Sequence, residues 1–140
     1  MKIEGLEDLT KTLTNSAKGF NEEAEKTVGR ISNKIIRRVK SKTPVAEKDG
    51  GTLKRSWHVE RPEQLVRVVY NDCEYAPHIE FGHRTRLGEG GKSKNPKYKY
   101  KPKHDGIKLV EGRYMLTRSV EEVEKDLEEE VEIMIENLWK

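Results

Sequence analysis

The chain has 140 residues, of which 33% are hydrophobic and 38% charged, with a formal net charge of +3. An ordinary domain is roughly half apolar and a quarter charged, so this composition supports one modest core in a single domain over 1–140 and favours a subunit whose copies complete one another. A lone Cys excludes an intrachain disulfide, the charged start is unlike a signal peptide, and no apolar run reaches the roughly 18–20 residues of a membrane span. A soluble protein made in a cytoplasm and free of membrane is therefore expected.

Ile3, Leu6, Leu9 and Leu13 recur at three- and four-residue spacing, predicting a short amphipathic helix or a strand-then-helix start that Gly19 breaks. A stronger helix is expected from about Asn21 to Lys42, with Ala24, Val28, Ile31, Ile35 and Val39 as its apolar stripe. Asn21 is its expected N-cap, and Glu22 and Glu23 suit its first turn. Arg37, Arg38, Lys40 and Lys42 crowd the last turns, where cations complement the helix dipole; a phosphate-holding role is the sharper alternative. Pro44 ends the helix by disfavouring helical geometry at Thr43.

A polar turn with Gly50 and Gly51 follows, then an extended segment from Leu53 to Glu60 carrying Trp57. Residues 61–64 read as a hairpin connection and Leu65–Tyr70 as the returning strand of an antiparallel pair. Tyr75 and Ile79 share one side of a short helical turn with Pro77 near its start, and Gly82 stops it. Residues 83–106 lose apolar periodicity, and residues 83–105 hold eight Lys/Arg against two acids. Such a stretch is expected to be a long functional or disordered loop, with residues 107–110 as a short strand after it. From Arg113 to Trp139 one helix is predicted, with Leu116, Val120, Val123, Leu127, Val131, Met134 and Leu138 forming its buried stripe. Residues 121–136 carry nine acids against Lys125, read as a solvated face or as an inter-subunit contact.

These elements predict an α+β fold: a small antiparallel β-sheet packed by two long α-helices, with a long basic loop. His78, Glu80 and His83 superficially resemble a metal site. The two His are five residues apart, about 140° around a helix, unlike the four-residue spacing of zinc proteases. No metal or other cofactor is expected, Cys73 has no second thiol, and no nucleotide-binding or nucleophile motif occurs, so nothing argues for an enzyme. The basic loop is the strongest functional signal. Arg84, Arg86, Lys92, Lys94, Lys97, Lys99, Lys101 and Lys103, with Tyr98 and Tyr100 interleaved, could neutralise phosphates and stack on bases. They could equally contact an acidic protein neighbour, line a channel for DNA, or form a solvated mobile loop. A small DNA-binding module acting through this loop is the rival functional class.

One family pattern accommodates the order of these segments. A long helix ends at Pro44; Gly51, Leu53 and Ser56 follow; a strand ends at Asn71; Tyr75, Ala76, Glu80 and Gly82 come next; and Arg113–Leu116 opens the last helix. This order resembles the HK97 gp10-like family of tailed-phage neck and tail-completion proteins over roughly residues 3–138. Two positions depart from it: Gly51 precedes Thr52 where the family has Thr-Gly, and His83 stands where a small residue is usual. The resemblance implies a non-enzymatic virion component, assembled in a bacterial host. It further implies a homo-oligomeric ring, often six-fold, between the head-side connector or stopper and the tail terminator or tube. Pro44, Gly51, Leu53, Ser56, Tyr75, Ala76, Glu80 and Gly82 then become a structural signature, with Glu80 expected to pair with a cation such as Arg113 or with a neighbouring subunit. The loop at 83–106 would make neck or inter-subunit contacts, with non-specific contact to passing DNA.

Overall fold

The computed structural model describes residues 5–48, 50–83 and 110–140. A single helix, α1 (Leu6–Lys42), runs without interruption for 37 residues, a length of about 55 Å. Gly19 and Asn21 lie inside it, so neither the predicted break nor the predicted N-cap occurs; the N-cap is Gly5. Glycine in a helix interior costs only about 1 kcal/mol, too little to divide a segment with helix formers on both sides. Thr43 leaves the helix in an extended conformation, as its position before Pro44 requires.

A single helical turn, α2 (Thr52–Arg55), replaces the start of the expected strand. Two strands, β1 (Trp57–Glu63) and β2 (Val66–Asn71), then pair antiparallel, with Trp57 opposite Asn71, Val59 opposite Val69 and an irregularity between Glu60 and Glu63. Pro62 lies in that irregular part, where a missing N–H breaks no regular ladder bond. Along β2, Arg67, Val69 and Asn71 are half-buried and face α1, while Val66, Val68 and Tyr70 face outward and are exposed.

After the short helix α3 (Ala76–Phe81), the two-residue strands β3 (Gly82–His83) and β4 (Val110–Glu111) pair antiparallel. The last predicted helix is two: α4 (Met115–Glu124) and α5 (Leu127–Leu138). They part at Lys125–Asp126, where the Asp126 N–H turns back to the Val123 carbonyl and its ψ is near −1°. Aspartate is among the weaker helix formers because its side chain has alternative partners. Here that partner is Arg38, 2.7 Å away.

The core gathers where these elements converge: Val39 from α1, Leu53 from α2, Trp57 from β1, Ala76 from α3 and Met115 from α4. Burial of a side chain of this kind contributes roughly 1.5–3 kcal/mol. Inside it the Trp57 indole N–H donates to Thr43 Oγ1 at 2.9 Å, and the Thr43 hydroxyl donates to the Val39 carbonyl at 2.7 Å. The buried indole N–H is thereby paired. The expected apolar stripe of the last helix holds only in part: Val123 is buried and Leu116, Met134 and Leu138 are half-buried. Met115, Ser119, Val123 and Glu130 are buried, whereas Val120, Leu127 and Val131 are exposed.

Candidate functional site

Three features can meet a partner: the corner around α3, the seam between α1 and the C-terminal helices, and a set of uncovered apolar faces. The corner begins at Asn71. Its side-chain N–H donates to the Leu53 carbonyl and its Oδ1 accepts from the Cys73 N–H, both at 2.9 Å. One amide therefore ties α2 to the end of β2. The Asp72 N–H reinforces this by donating to the Ser56 carbonyl at 3.2 Å.

Glu80 is 7% exposed and points at the start of α4. Its carboxylate accepts the N–H groups of Leu116 and Thr117, each at 3.0 Å, and the Thr117 hydroxyl at 2.9 Å. A carboxylate from another element thus satisfies two of the N–H groups that every helix N-terminus leaves free, and meets its positive dipole end. The Arg113 and Tyr114 N–H groups bond the Ile79 and Glu80 carbonyls at 2.8 and 3.0 Å, completing the join. The expected pairing of Glu80 with the Arg113 side chain is therefore replaced by a bond to helix backbone. Tyr114, the residue before α4, has φ of 51°, the one positive value for a non-glycine among the described residues. Gly82, at φ 83°, could carry no side chain: a Cβ there would run into the Val110 carbonyl and the Gly112 N–H.

The signature residues fall together. Ala76 and Leu53 are core, Ser56 closes α2, Gly51 opens it in a left-handed conformation, and Pro44, Gly51, Leu53 and Tyr75 line a cavity of about 400 Å3. His78 and His83 also line it, their ring centroids 5.8 Å apart. Glu80 does not join them, being held by α4. Among the described residues no group of three or more His, Cys, Asp or Glu could hold a metal ion. Arg84, Arg86, Lys92, Lys94, Lys97, Tyr98, Lys99, Tyr100, Lys101 and Lys103 lie outside the described residues.

The seam is an ion-pair ladder. Arg30, Lys34, Arg38 and Lys42, one turn apart on α1, face Glu130, Asp126 and Glu122, one turn apart in the opposite direction. Arg30 and Lys34 reach Glu130 at 2.9 and 2.7 Å, Arg38 reaches Asp126 at 2.7 Å, and Lys42 reaches Glu122 at 2.8 Å. Glu130 is 2% exposed. The Lys34 hydrogen bond holds its carboxyl below the ordinary 4.5, against the opposing effect of burial and with help from Arg30. Lys42 does the same for Glu122. The basic end of α1 thus binds acids of the same chain, rather than the helix dipole alone. The signal was in the sequence: both sets repeat every four residues, a spacing that puts each on one helix face.

The uncovered faces are extensive. Six hydrophobic residues are buried among those described, while nineteen large hydrophobic ones are exposed, including Leu6, Leu9, Leu13 and Phe20 on α1 and Trp139 at 86%. Single exposed apolar residues are normal, but contiguous runs mark contact surfaces.

The described residues form a long helix carrying a hairpin, with a corner built on carboxylate-to-backbone bonds. The chain belongs to the HK97-gp10-like family: the family model described as "Bacteriophage HK97-gp10, putative tail-component" matches residues 7–82, more than half of the sequence. No curated protein and no solved structure gave a significant match. The matched span ends at Gly82, so it covers α1, the hairpin and the α3 corner.

Proposed function

We propose that this chain is a head–tail joining subunit of a tailed phage or prophage-derived particle. Its copies form a ring, six-fold in the simplest case, between the head-side connector or stopper and the tail terminator or tube. Membership of a phage tail-component family supports a place in the virion, and its role there is structural rather than enzymatic. The observation that carries the ring is an imbalance among the described residues: six hydrophobic side chains are buried, whereas nineteen large ones are exposed. A lone subunit leaves these nineteen side chains partly in water, and burying them against copies removes that cost.

In this reading the α3 corner fixes the two ends of the segment between His83 and Val110, whose nine Lys and Arg residues meet neck proteins or passing DNA without reading sequence. Deleting the gene from its phage tests the role. The expected outcome is full heads and complete tails that stay apart in electron micrographs and join when the protein is supplied in trans. Normal joined particles from the deletion strain would refute it.

A further inference from the structure

Trp139 is the most exposed large hydrophobic residue among those described, at 86%. Its backbone is held in place, because its N–H bonds the Ile135 and Glu136 carbonyls, each at 3.3 Å, and so closes α5. Glu128, Glu132 and Glu136, all exposed, stand four residues apart and run as one row along α5 toward this indole. They take no part in the ladder to α1, which uses Glu122, Asp126 and Glu130. Lys140, next to Trp139, offsets one of them. The far end of α5 is thus an aromatic side chain with acidic shoulders.

The α3 corner offers the complement. Its cavity of about 400 Å3 falls within the roughly 300–1,000 Å3 of sites that enclose small ligands. Leu53, Ile79 and Val110 give it apolar walls. The charge around it is mainly positive. Arg113 and Glu111 line it, His78 and His83 add two imidazoles, and the Arg55 guanidinium comes within 3.1 Å of where a side chain on Gly51 would begin. In the adjoining turn Glu47 and Lys48 cancel. The two features cannot meet within one chain. Asn137 reaches α1 at Glu23, whereas the cavity is lined by Pro44, beyond the other end of α1 at Lys42. The helix between those points is about 30 Å long.

We propose that Trp139 of one copy seats in the α3-corner cavity of the next. An indole is a large, rigid apolar body of the kind that anchors interfaces by filling a pocket, and the acids beside it meet Arg113 and Arg55 at the rim. The other exposed aromatic side chains fit the cavity less well. Phe81 leans on Tyr114 and Tyr70 on His58 in the same chain, and Tyr75 is part of the cavity wall. Phe20 lies in mid-helix, so its own backbone would keep it from entering a pocket. The first part of α1, residues 5–18, is an exposed arm. Its Leu6, Leu9 and Leu13 form a flat strip whose neighbours, Thr10 and Thr12, carry no charge to answer the two arginines. Because anchor and cavity are different surfaces, the contact propagates from copy to copy until a ring closes. A stable interface takes about 20–30 residues a side, so this contact is the centre of a larger one. The inference rests on the ring reading above and assigns one of its contacts.

Three variants of the full-length chain test it by sedimentation velocity over a concentration series. Trp139→Ala removes the anchor, Arg113→Glu reverses the rim, and Glu132→Lys with Glu136→Lys reverses the row of acids. The wild type is expected to form an oligomer, and each variant to self-associate about tenfold more weakly or worse. An equimolar mixture of the two charge-reversed proteins is expected to recover assembly close to that of the wild type, because each junction between unlike copies again joins opposite charges. That recovery also shows that both variants fold. Trp139→Ala assembling like the wild type would overturn the inference and leave the ring intact. Charge-reversed proteins that each assemble normally, or that stay apart when mixed, would overturn it too. A wild type that stays monomeric would remove the ring reading itself.

Discussion

Glu80 shows how one side chain can hold a corner. Its carboxylate is nearly buried and takes three hydrogen bonds from the start of α4. Replacing it with Ala strands the Leu116 and Thr117 N–H groups. Glu80→Ala is therefore expected to cost about 2–3 kcal/mol in urea unfolding, the range for losing hydrogen bonds to a charged group. Glu80→Gln keeps one acceptor oxygen and should cost less. A loss below about 0.5 kcal/mol for Glu80→Ala, the scale of a neutral surface change, would mean that α4 has another cap. The sequence shows why a residue can be placed without its partner. Glu80 stands out as the one acid between Pro77 and Gly82, so a structural role was legible. Arg113 looked the natural partner because charge is visible in a sequence, whereas the free N–H groups of a helix start 36 residues away are not.

At the scale of elements, the ladder between α1 and α4–α5 sets the response to pH and to mutation. Glu130 has its folded pKa held down, first by Lys34, so its contribution is fully present above its ordinary 4.5 and is lost as pH falls through the lower folded value. Lys34 has its pKa raised, first by Glu130, so its share is present below its ordinary 10.5 and is lost as pH rises through the higher folded value. Melting temperature should therefore be level between these limits and fall on both sides. Glu130→Gln should lower stability on the plateau by about 2 kcal/mol, seen as a lower melting temperature, and flatten the acid-side fall, because below the folded pKa the wild-type carboxyl is neutral as well. Melts of both proteins across that range check this, and parallel curves would show that Glu130 is not the titrating group. The same seam explains what the periodicity hid. Apolar period predicts the buried face of a helix only when the seam is apolar. Here Ser119, Glu122, Asp126 and Glu130 take the inner positions, so Val120, Leu127 and Val131 turn outward. The unbroken α1 has a simpler cause: Gly19 is a weak helix residue, not a stop.

For the whole molecule, the α+β class, the antiparallel hairpin, the Pro44 stop and the α3 turn could all be read from residue types and spacing. The family order across residues 7–82 was legible for the same reason, since turns, glycines and prolines keep their places when surfaces change. Which apolar residues stay uncovered was not legible, because period alone cannot distinguish a face that meets its own chain from one that waits for another. That distinction is the centre of the account. Six buried hydrophobic residues make a small core for the described part of the chain, and the long arm of α1 adds nothing to it as a monomer. Native mass spectrometry of the purified full-length protein, across a concentration series at near-physiological salt, tests this most directly. A single closed stoichiometry, six copies in the simplest case, appearing as concentration rises is the predicted result. A monomer at every concentration, both alone and with the neighbouring neck proteins present, would contradict it.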